Sequence, residues 1–142
     1  MSKVAVVFWS GTGNTQAMAD AVADGAKAAG AEVSVFSSND FGAANVAEYD
    51  GIAFGCPAMG AEVLEESSFE PMFTEVETLL SGKPIGIFGS YGWGDGQWMR
   101  DWEERCNMIG ARLVTGGVMA NNAPGENEIE ECKSLGAALA RA

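Results

Sequence analysis

Residues 8–19, FWSGTGNTQAMA, join the end of an apolar run to the beginning of a helical pattern. Between the two lie six small, hydroxylic or glycine residues, SGTGNT at 10–15, and none of them is positively charged. A glycine-rich turn that leads into a helix presents free backbone N–H groups and the positive end of the helix dipole, so it predicts an anion site. Because the loop lacks a cation, it suits a phosphate monoester held by neutral donors. A plain capped turn is the alternative.

Two common nucleotide-binding motifs do not fit this loop. A Walker A motif requires Lys where Asn14 precedes Thr15, and the dinucleotide fingerprint requires a third glycine where Gln16 stands.

Length and composition predict a single domain, residues 1–142, in the cytoplasm. Hydrophobic residues make up 47% of the 142, enough for one compact core. No apolar run reaches the roughly 18 residues of a membrane span, and the N-terminus does not have a signal-peptide layout. Three widely spaced cysteines, Cys56, Cys106 and Cys132, predict neither a disulfide framework nor a metal site. Cys56 lies near the second loop described below, where we expect a buried structural thiol rather than a redox role.

The charge balance narrows the class of partner. Acidic residues number 20 against 8 basic ones, for a net charge of −12, which disfavours nucleic acid and favours basic proteins. Diffuse charge that only aids solubility is the alternative. The absence of His removes the usual general base, so hydrolytic chemistry is disfavoured.

Apolar runs and amphipathic segments alternate along the chain. The runs predict five strands at 4–9, 33–36, 52–55, 85–89 and 113–118. Helical stripes of apolar residues lie between or after them: Met18, Val22, Gly25 and Ala29; Phe69, Phe73, Val76 and Leu80; Trp98, Trp102, Cys106 and Ile109; Ile129, Cys132, Leu135 and Leu139. A weaker helix is predicted near 43–48. This alternation predicts an α/β fold in which a parallel sheet carries helices on both faces and binds ligands at its carboxyl edge.

Two further loops follow predicted strands. Residues 55–71, GCPAMGAEVLEESSFEP, combine Met59, which can lie on a flat ring, with the flexible Gly60 and a dense group of glutamates. The alternative is that Met59 fills the core and the glutamates are a solvated helix start. Residues 89–96, GSYGWGDG, place Tyr91 and Trp93 among four glycines, and exposed aromatics indicate a ligand or partner. Trp98 and Trp102 are expected in the core, and Trp9 fits either role.

Together the three loops resemble the flavodoxin family, specifically the short-chain type of anaerobic bacteria. The resemblance is carried by WSGTGNT at 9–15, GCPAMGAEVLEES at 55–67 and FGSYGWGDGQWMRDWEER at 88–105. It implies a flavodoxin-like three-layer sandwich with a five-stranded parallel sheet of order 2-1-3-4-5. It also implies a noncovalently bound flavin mononucleotide (FMN). No segment of about twenty residues interrupts the fifth strand, which is typical of the short-chain type.

The resemblance assigns cofactor contacts to three loops and one later residue. The phosphate would be held by Ser10, Gly11, Thr12, Gly13, Asn14 and Thr15. The ring would be flanked by Met59 and Trp93, with Gly60 facing flavin N5 and Glu62 accepting from N3–H. Further contacts would come from Ala58, Ala61, Gly89, Ser90, Tyr91, Gly92 and Gly94, and Asn122 would reach the ribityl chain.

The implied role is a low-potential one-electron carrier that cycles between the semiquinone and the hydroquinone, without substrate turnover of its own. The Gly60–Ala61 peptide would rotate its carbonyl toward flavin N5, and if that rotated turn is type II, Ala61 must adopt a positive φ. Partners would be redox proteins such as ferredoxin-type reductases and oxidoreductases, met by a monomer through an acidic rim of Glu62, Glu65, Glu66, Glu70 and Asp95. The alternatives are a flavin-dependent NAD(P)H–quinone reductase, a signalling receiver of similar topology and a plain anion-binding module.

Overall fold

The computed structural model describes residues 2–11, 13–60 and 63–142. The strands are β1 Lys3–Phe8, β2 Glu32–Ser37, β3 Gly51–Gly55, β4 Pro84–Tyr91, β5 Arg112–Leu113 and β6 Val118–Asn121. The helices are α1 Asn14–Ala28, α2 Ala43–Val46, α3 Phe69–Val76, α4 Gln97–Met108 and α5 Glu126–Arg141, with 3₁₀ turns at Ser38–Asp40 and Glu77–Leu79. All strand pairs in the sheet are parallel, in the order β2-β1-β3-β4-β5, and β6 also pairs with β4. The predicted strand order is therefore confirmed.

The fifth strand differs from its prediction. Residues 113–118 were expected to form one strand, but the outer strand is split into β5 and β6. β5 pairs with the start of β4 through Ile85 and Leu113, and β6 pairs with its end from Phe88 and Val118 onward. Between these pairs the outer segment is two residues longer than β4, so the chain bulges out of register there. An apolar run alone does not reveal this insertion.

The core consists of two layers, one on each face of the sheet. On β1, Ala5 and Val7 face the layer that contains α3 and α4, whereas Val4 and Val6 face the layer that contains α1 and α5. Because both faces are covered, the central strands are apolar almost without interruption. The four-residue stripe predicted from Phe69 to Leu80 is completely buried, and Trp98 and Trp102 are core residues as predicted.

Within the described part of the chain, no helix combines the length and apolar character needed to cross a bilayer.

Candidate cofactor site

A cavity of about 220 Å³ lies at the carboxyl edge of the sheet, where the three predicted loops meet. The chain leaves β1 toward β2 on one side and returns to β3 on the other, so this is the switch point where open α/β sheets bind ligands. Eight predicted site residues line the cavity: Gly11, Asn14, Ala58, Met59, Ser90, Tyr91, Gly92 and Asn122. Trp9 and Pro57 also line it. The sequence left Trp9 undecided and gave no signal for Pro57 beyond its place beside the loop.

The first loop offers backbone donors at the start of α1. Gly13 occupies the N-cap in the left-handed region, at φ 95°. The Ser10 hydroxyl oxygen accepts the N–H groups of Gly13 and Gln16, at 3.1 and 3.3 Å, which leaves its own proton available to an acceptor. In the described residues, the N–H groups of Asn14 and Thr15 have no acceptor. These donors fit an anion at the helix N-terminus. Thr12, another predicted contact, lies outside the described residues.

The Thr15 side chain connects the first loop to β4. Thr15 is 1% exposed, and its hydroxyl oxygen accepts the N–H of Ser90 at 3.3 Å and lies 3.1 Å from the Ser90 hydroxyl. Its hydroxyl therefore bonds within the protein, and its backbone N–H is the group that remains for an anion. The contact fixes the first and third loops relative to each other.

The second loop forms a tight hairpin beside the cavity. Met59 and Val63 exchange two backbone hydrogen bonds, of 2.8 and 3.0 Å, and Gly60 follows at φ +48°. A type II turn with Gly60 as its second residue needs φ near −60° there, so Gly60 would have to change its φ to reach the rotated turn, which stays a prediction. A positive φ of this kind favours glycine because a Cβ would be strained. Ala61 and Glu62, both predicted site residues, lie outside the described residues.

Glu65, predicted as part of the acidic rim, is a buried helix cap. Its side chain is 6% exposed, and its carboxylate accepts the N–H groups of Ser67, Ser68 and Phe69, each at 2.8 Å, and the Ser67 hydroxyl. Burial alone would raise the pKa of Glu65, but the hydrogen bonds from Ser67, Phe69 and Ser68 together hold that pKa below its ordinary value. The prediction that Glu65 faces a docking partner is therefore wrong.

Two other members of the predicted rim are paired with arginines. The Glu70 carboxylate receives two hydrogen bonds of 2.8 Å from Arg105, which also contacts Glu77 at 2.9 Å. Desolvation opposes the shift, but the bonds from Arg105 and from the Thr74 hydroxyl keep the pKa of Glu70 below its ordinary value. Asp95 forms an ion pair of 3.0 Å with Arg100.

Of the predicted rim, only Glu66 is both exposed and without a cationic partner within the ranges that the structure covers. The described part of the rim therefore offers less exposed, unneutralised negative charge to a partner than the sequence indicates.

The two aromatic residues of the third loop lie in different environments. Tyr91 is half-buried, lines the cavity and packs on Trp98 with ring centroids 5.4 Å apart. Trp93 is 64% exposed and does not line the cavity. Gly89 lies inside β4, where a Cβ would come within 2.1 Å of the Cys56 carbonyl oxygen. Its lack of a side chain therefore serves the close approach of two backbone segments.

Two remaining residues complete the surroundings of the cavity. Asn122 takes a positive φ of 60° and donates its N–H to the Tyr91 carbonyl at 2.7 Å, which holds it at the cavity wall. Cys56 is fully buried, and burial raises the pKa of its thiol to about 12. This burial agrees with the expected buried thiol, and the structural role stays a prediction.

These groups fit FMN. The donors of the first loop suit its phosphate, and the cavity beside them has apolar walls from Trp9, Met59 and Tyr91 that suit a flat ring.

Comparison with known proteins supports the same interpretation. The family model described as flavodoxin matches residues 6–136. The chain is 48% identical to the flavodoxin of Megasphaera elsdenii over 98% of this chain and 99% of that protein. It is 45% identical to the flavodoxin of Clostridium beijerinckii over 95% of this chain and 97% of that protein. The solution structure of two-electron reduced Megasphaera elsdenii flavodoxin superposes with a TM-score of 0.90 and covers 98% of this chain and 99% of its own.

These matches decide against the quinone reductase, the receiver and the plain anion-binding module. The chain belongs to the flavodoxin family, and it is an FMN-binding electron carrier rather than an enzyme with a substrate of its own.

Proposed function

We propose that the chain is a low-potential one-electron carrier of the cytoplasm, built as one domain and active as a monomer, that exchanges electrons with basic redox proteins. The observation that supports this most is the coincidence of two features at one edge of the sheet. Backbone donors that have no acceptor among the described residues begin α1, and the cavity with apolar walls opens next to them. The three buried, unpaired cysteines are in keeping with a reducing compartment.

The proposed phosphate contacts are those of residues 10–15. The backbone N–H groups of Asn14 and Thr15 and the hydroxyl of Ser10 point to one anion at the helix start. Gly11 lets the backbone come close to it, and Thr12 would add a hydroxyl. Neutral donors suffice because burial of the ring supplies much of the affinity.

Met59 and Trp93 would cover opposite faces of the ring, and their main task is to exclude water. When bound, FMN supplies the one-electron redox chemistry. The Gly60 carbonyl would accept a hydrogen bond from flavin N5–H after the peptide rotates, and glycine makes that rotation sterically easy. Glu62 would accept from N3–H.

A low potential follows from the charges nearest the ring. Since exposed charges are screened beyond about 10 Å at 0.1 M salt, the distant part of the net charge of −12 contributes little. We invoke two carboxylates of the second loop: the proposed contact Glu62, and Glu66, which is exposed and has no cationic partner in the described part of the chain. Together with the apolar walls, they disfavour the negative charge that a second electron adds.

Partner docking would use the exposed Glu66, which has no cationic partner among the described residues, together with the proposed cofactor contact Glu62. We propose Glu62 and Glu66 as the principal contacts for a basic surface, with Asp95 contributing less because Arg100 neutralises it. Electrostatic docking of this kind raises the association rate at low salt.

The docking proposal is tested by electron transfer from a ferredoxin-type reductase at increasing salt. Glu66→Gln should lower the rate and flatten its salt dependence. Glu48→Gln is the matched control, because Glu48 is also exposed but precedes β3 at the opposite edge of the sheet. A rate that does not change with salt, or equal effects of both variants, would contradict docking through the rim.

The carrier proposal is tested by redox titration of the purified, FMN-loaded protein. We expect two separate one-electron steps, of which the second has the lower potential, and no steady oxidation of NADH without a reductase. A single two-electron step, or continuous NADH oxidation by the protein alone, would refute the proposed role.

A further inference from the structure

The second loop is fastened at its base by buried groups on both of its ends. At the start, Cys56 donates its N–H to the Phe88 carbonyl at 3.1 Å, and its own carbonyl accepts the Trp98 indole N–H at 3.3 Å. At the end, the backbone N–H of Glu65 lies 3.3 Å from the Cys56 sulfur. The hairpin closed by Met59 and Val63 lies between these two ends.

Glu65 also joins the loop to α3. Its backbone bonds to Cys56, while its carboxylate binds the N–H groups that precede and begin that helix, from Ser67 to Phe69. Phe69 is fully buried in the core layer of α3 and α4. One side chain therefore connects the end of the loop to the rigid interior.

We infer that Glu65 is a positioning residue for the cofactor: it holds the hairpin that carries Met59 and Gly60 at a fixed place beside the cavity. The inference rests on the proposed contacts of these two residues with FMN. It assigns Glu65 a geometric role, in contrast to the electrostatic role that its exposed neighbour Glu66 plays.

A purely electrostatic role for Glu65 is the competing explanation. The geometry argues against it, because the carboxylate is surrounded by three backbone donors and a hydroxyl that stabilise its charge locally. Nearly all of its bonding capacity is used to shape the chain.

The pair Glu65→Gln and Glu66→Gln separates the two explanations, since both substitutions remove one negative charge at adjacent positions. Glu65→Gln keeps the size of the side chain but replaces one accepting oxygen with an NH₂ group that faces N–H donors. We expect its Kd for FMN to rise about fivefold, the factor that corresponds to one lost hydrogen bond.

Because the Gly60 carbonyl would accept a hydrogen bond from flavin N5–H only after the first electron, Glu65→Gln should weaken binding further at that stage and so affect mainly the first one-electron step. We expect FMN binding to be weakened about fivefold more after the first electron than before it, and this difference lowers the first potential by about 40 mV. Glu66→Gln should leave the Kd unchanged and raise both potentials slightly, as removal of a negative charge does. Equal shifts of the first potential in the same direction in both variants would overturn the inference.

A second pair of variants tests the hydrogen bond from the Glu65 backbone N–H to the Cys56 sulfur. Cys56→Ala removes the acceptor of the Glu65 N–H, and Cys132→Ala removes an equally buried sulfur that has no hydrogen bond in the described structure. Both leave a small cavity and should lose similar stability. Only Cys56→Ala should lower the first potential; the same change in Cys132→Ala would show a general packing effect and refute the inference.

Amide hydrogen exchange of the apoprotein provides a readout that does not need FMN. We expect the Glu65 and Phe69 amides to exchange at least fivefold faster in Glu65→Gln, and the Glu65 amide in Cys56→Ala, with no change in Glu66→Gln. Unchanged protection at these amides would refute the positioning role. Failure of the wild-type apoprotein to bind FMN would instead refute the proposed function, and the exchange result would still stand.

Discussion

Removal of the Trp93 side chain should weaken FMN binding through loss of one ring-stacking surface. Trp93 is 64% exposed on a backbone flanked by glycines, which is unusual for so large an apolar group. A flavin that covers one face of the indole would bury about half of this exposed surface, about 80 Å². At about 25 cal/mol per Å², this amounts to about 2 kcal/mol, so Trp93→Ala should raise the Kd for FMN about 30-fold.

The assay is fluorescence quenching of FMN by increasing amounts of apoprotein. Trp93→Phe is the conservative variant and should retain most of the affinity, because it keeps an aromatic face. Met108→Ala is the matched control: Met108 is 80% exposed and ends α4 at the opposite edge of the sheet, so the Kd should not change.

Trp93→Ala should also raise the potential of the second one-electron step, because water then reaches the uncovered face and stabilises added charge. A Kd within about twofold of the wild type, together with unchanged potentials, would show that Trp93 does not lie on the flavin and would refute this reasoning.

Three further substitutions follow from the geometry. Gly60→Ala introduces a Cβ into open space at φ +48°, so the cost is conformational and should lower the free energy of unfolding of the apoprotein in urea by about 1 kcal/mol; an unchanged free energy of unfolding would contradict the turn. Gly89→Ala places a Cβ 2.1 Å from a backbone oxygen and should destabilise the apoprotein by about 1–3 kcal/mol in urea unfolding, whereas an unchanged midpoint would contradict this packing. Arg105→Met should lower the free energy of unfolding in urea by about 1–2 kcal/mol at pH 7. Because the pKa of Glu70 is depressed in the folded protein, the stability that the Arg105–Glu70 pair adds is fully present above the unfolded pKa of about 4.3 and is lost as the pH falls below that value. If the free energies of unfolding of Arg105→Met and the wild type differ by the same amount down to pH 3, the pairing is contradicted.

The order of strands and helices was predictable because it depends on patterns that the chain carries locally. Apolar runs mark β1, β3 and β4, and four-residue stripes such as that of Phe69 mark the buried helix faces. The three loops were found from their glycine, hydroxyl and aromatic content, and the cavity does lie where they meet.

Features that depend on contacts between distant residues were not predictable. Glu65 and Glu66 are neighbours of one type, and only the position at which α3 begins decides that one caps the helix and the other faces solvent. The Thr15 hydroxyl bonds to Ser90, 75 residues away along the chain. The break between β5 and β6 depends on register against β4, which composition does not encode.

The central claim is that the α1 donors and the neighbouring cavity bind the phosphate and the ring of one FMN. It is tested most directly by equilibrium titration of the apoprotein with FMN and, in parallel, with riboflavin. We predict that each chain binds one FMN and fully quenches its fluorescence. Riboflavin lacks the phosphate and should bind at least 100-fold more weakly, which is the factor expected from the loss of about two charge-assisted hydrogen bonds. Equal affinities for the two flavins, or no quenching by either, would contradict the claim that the α1 donors hold the phosphate of an FMN whose ring lies in the cavity.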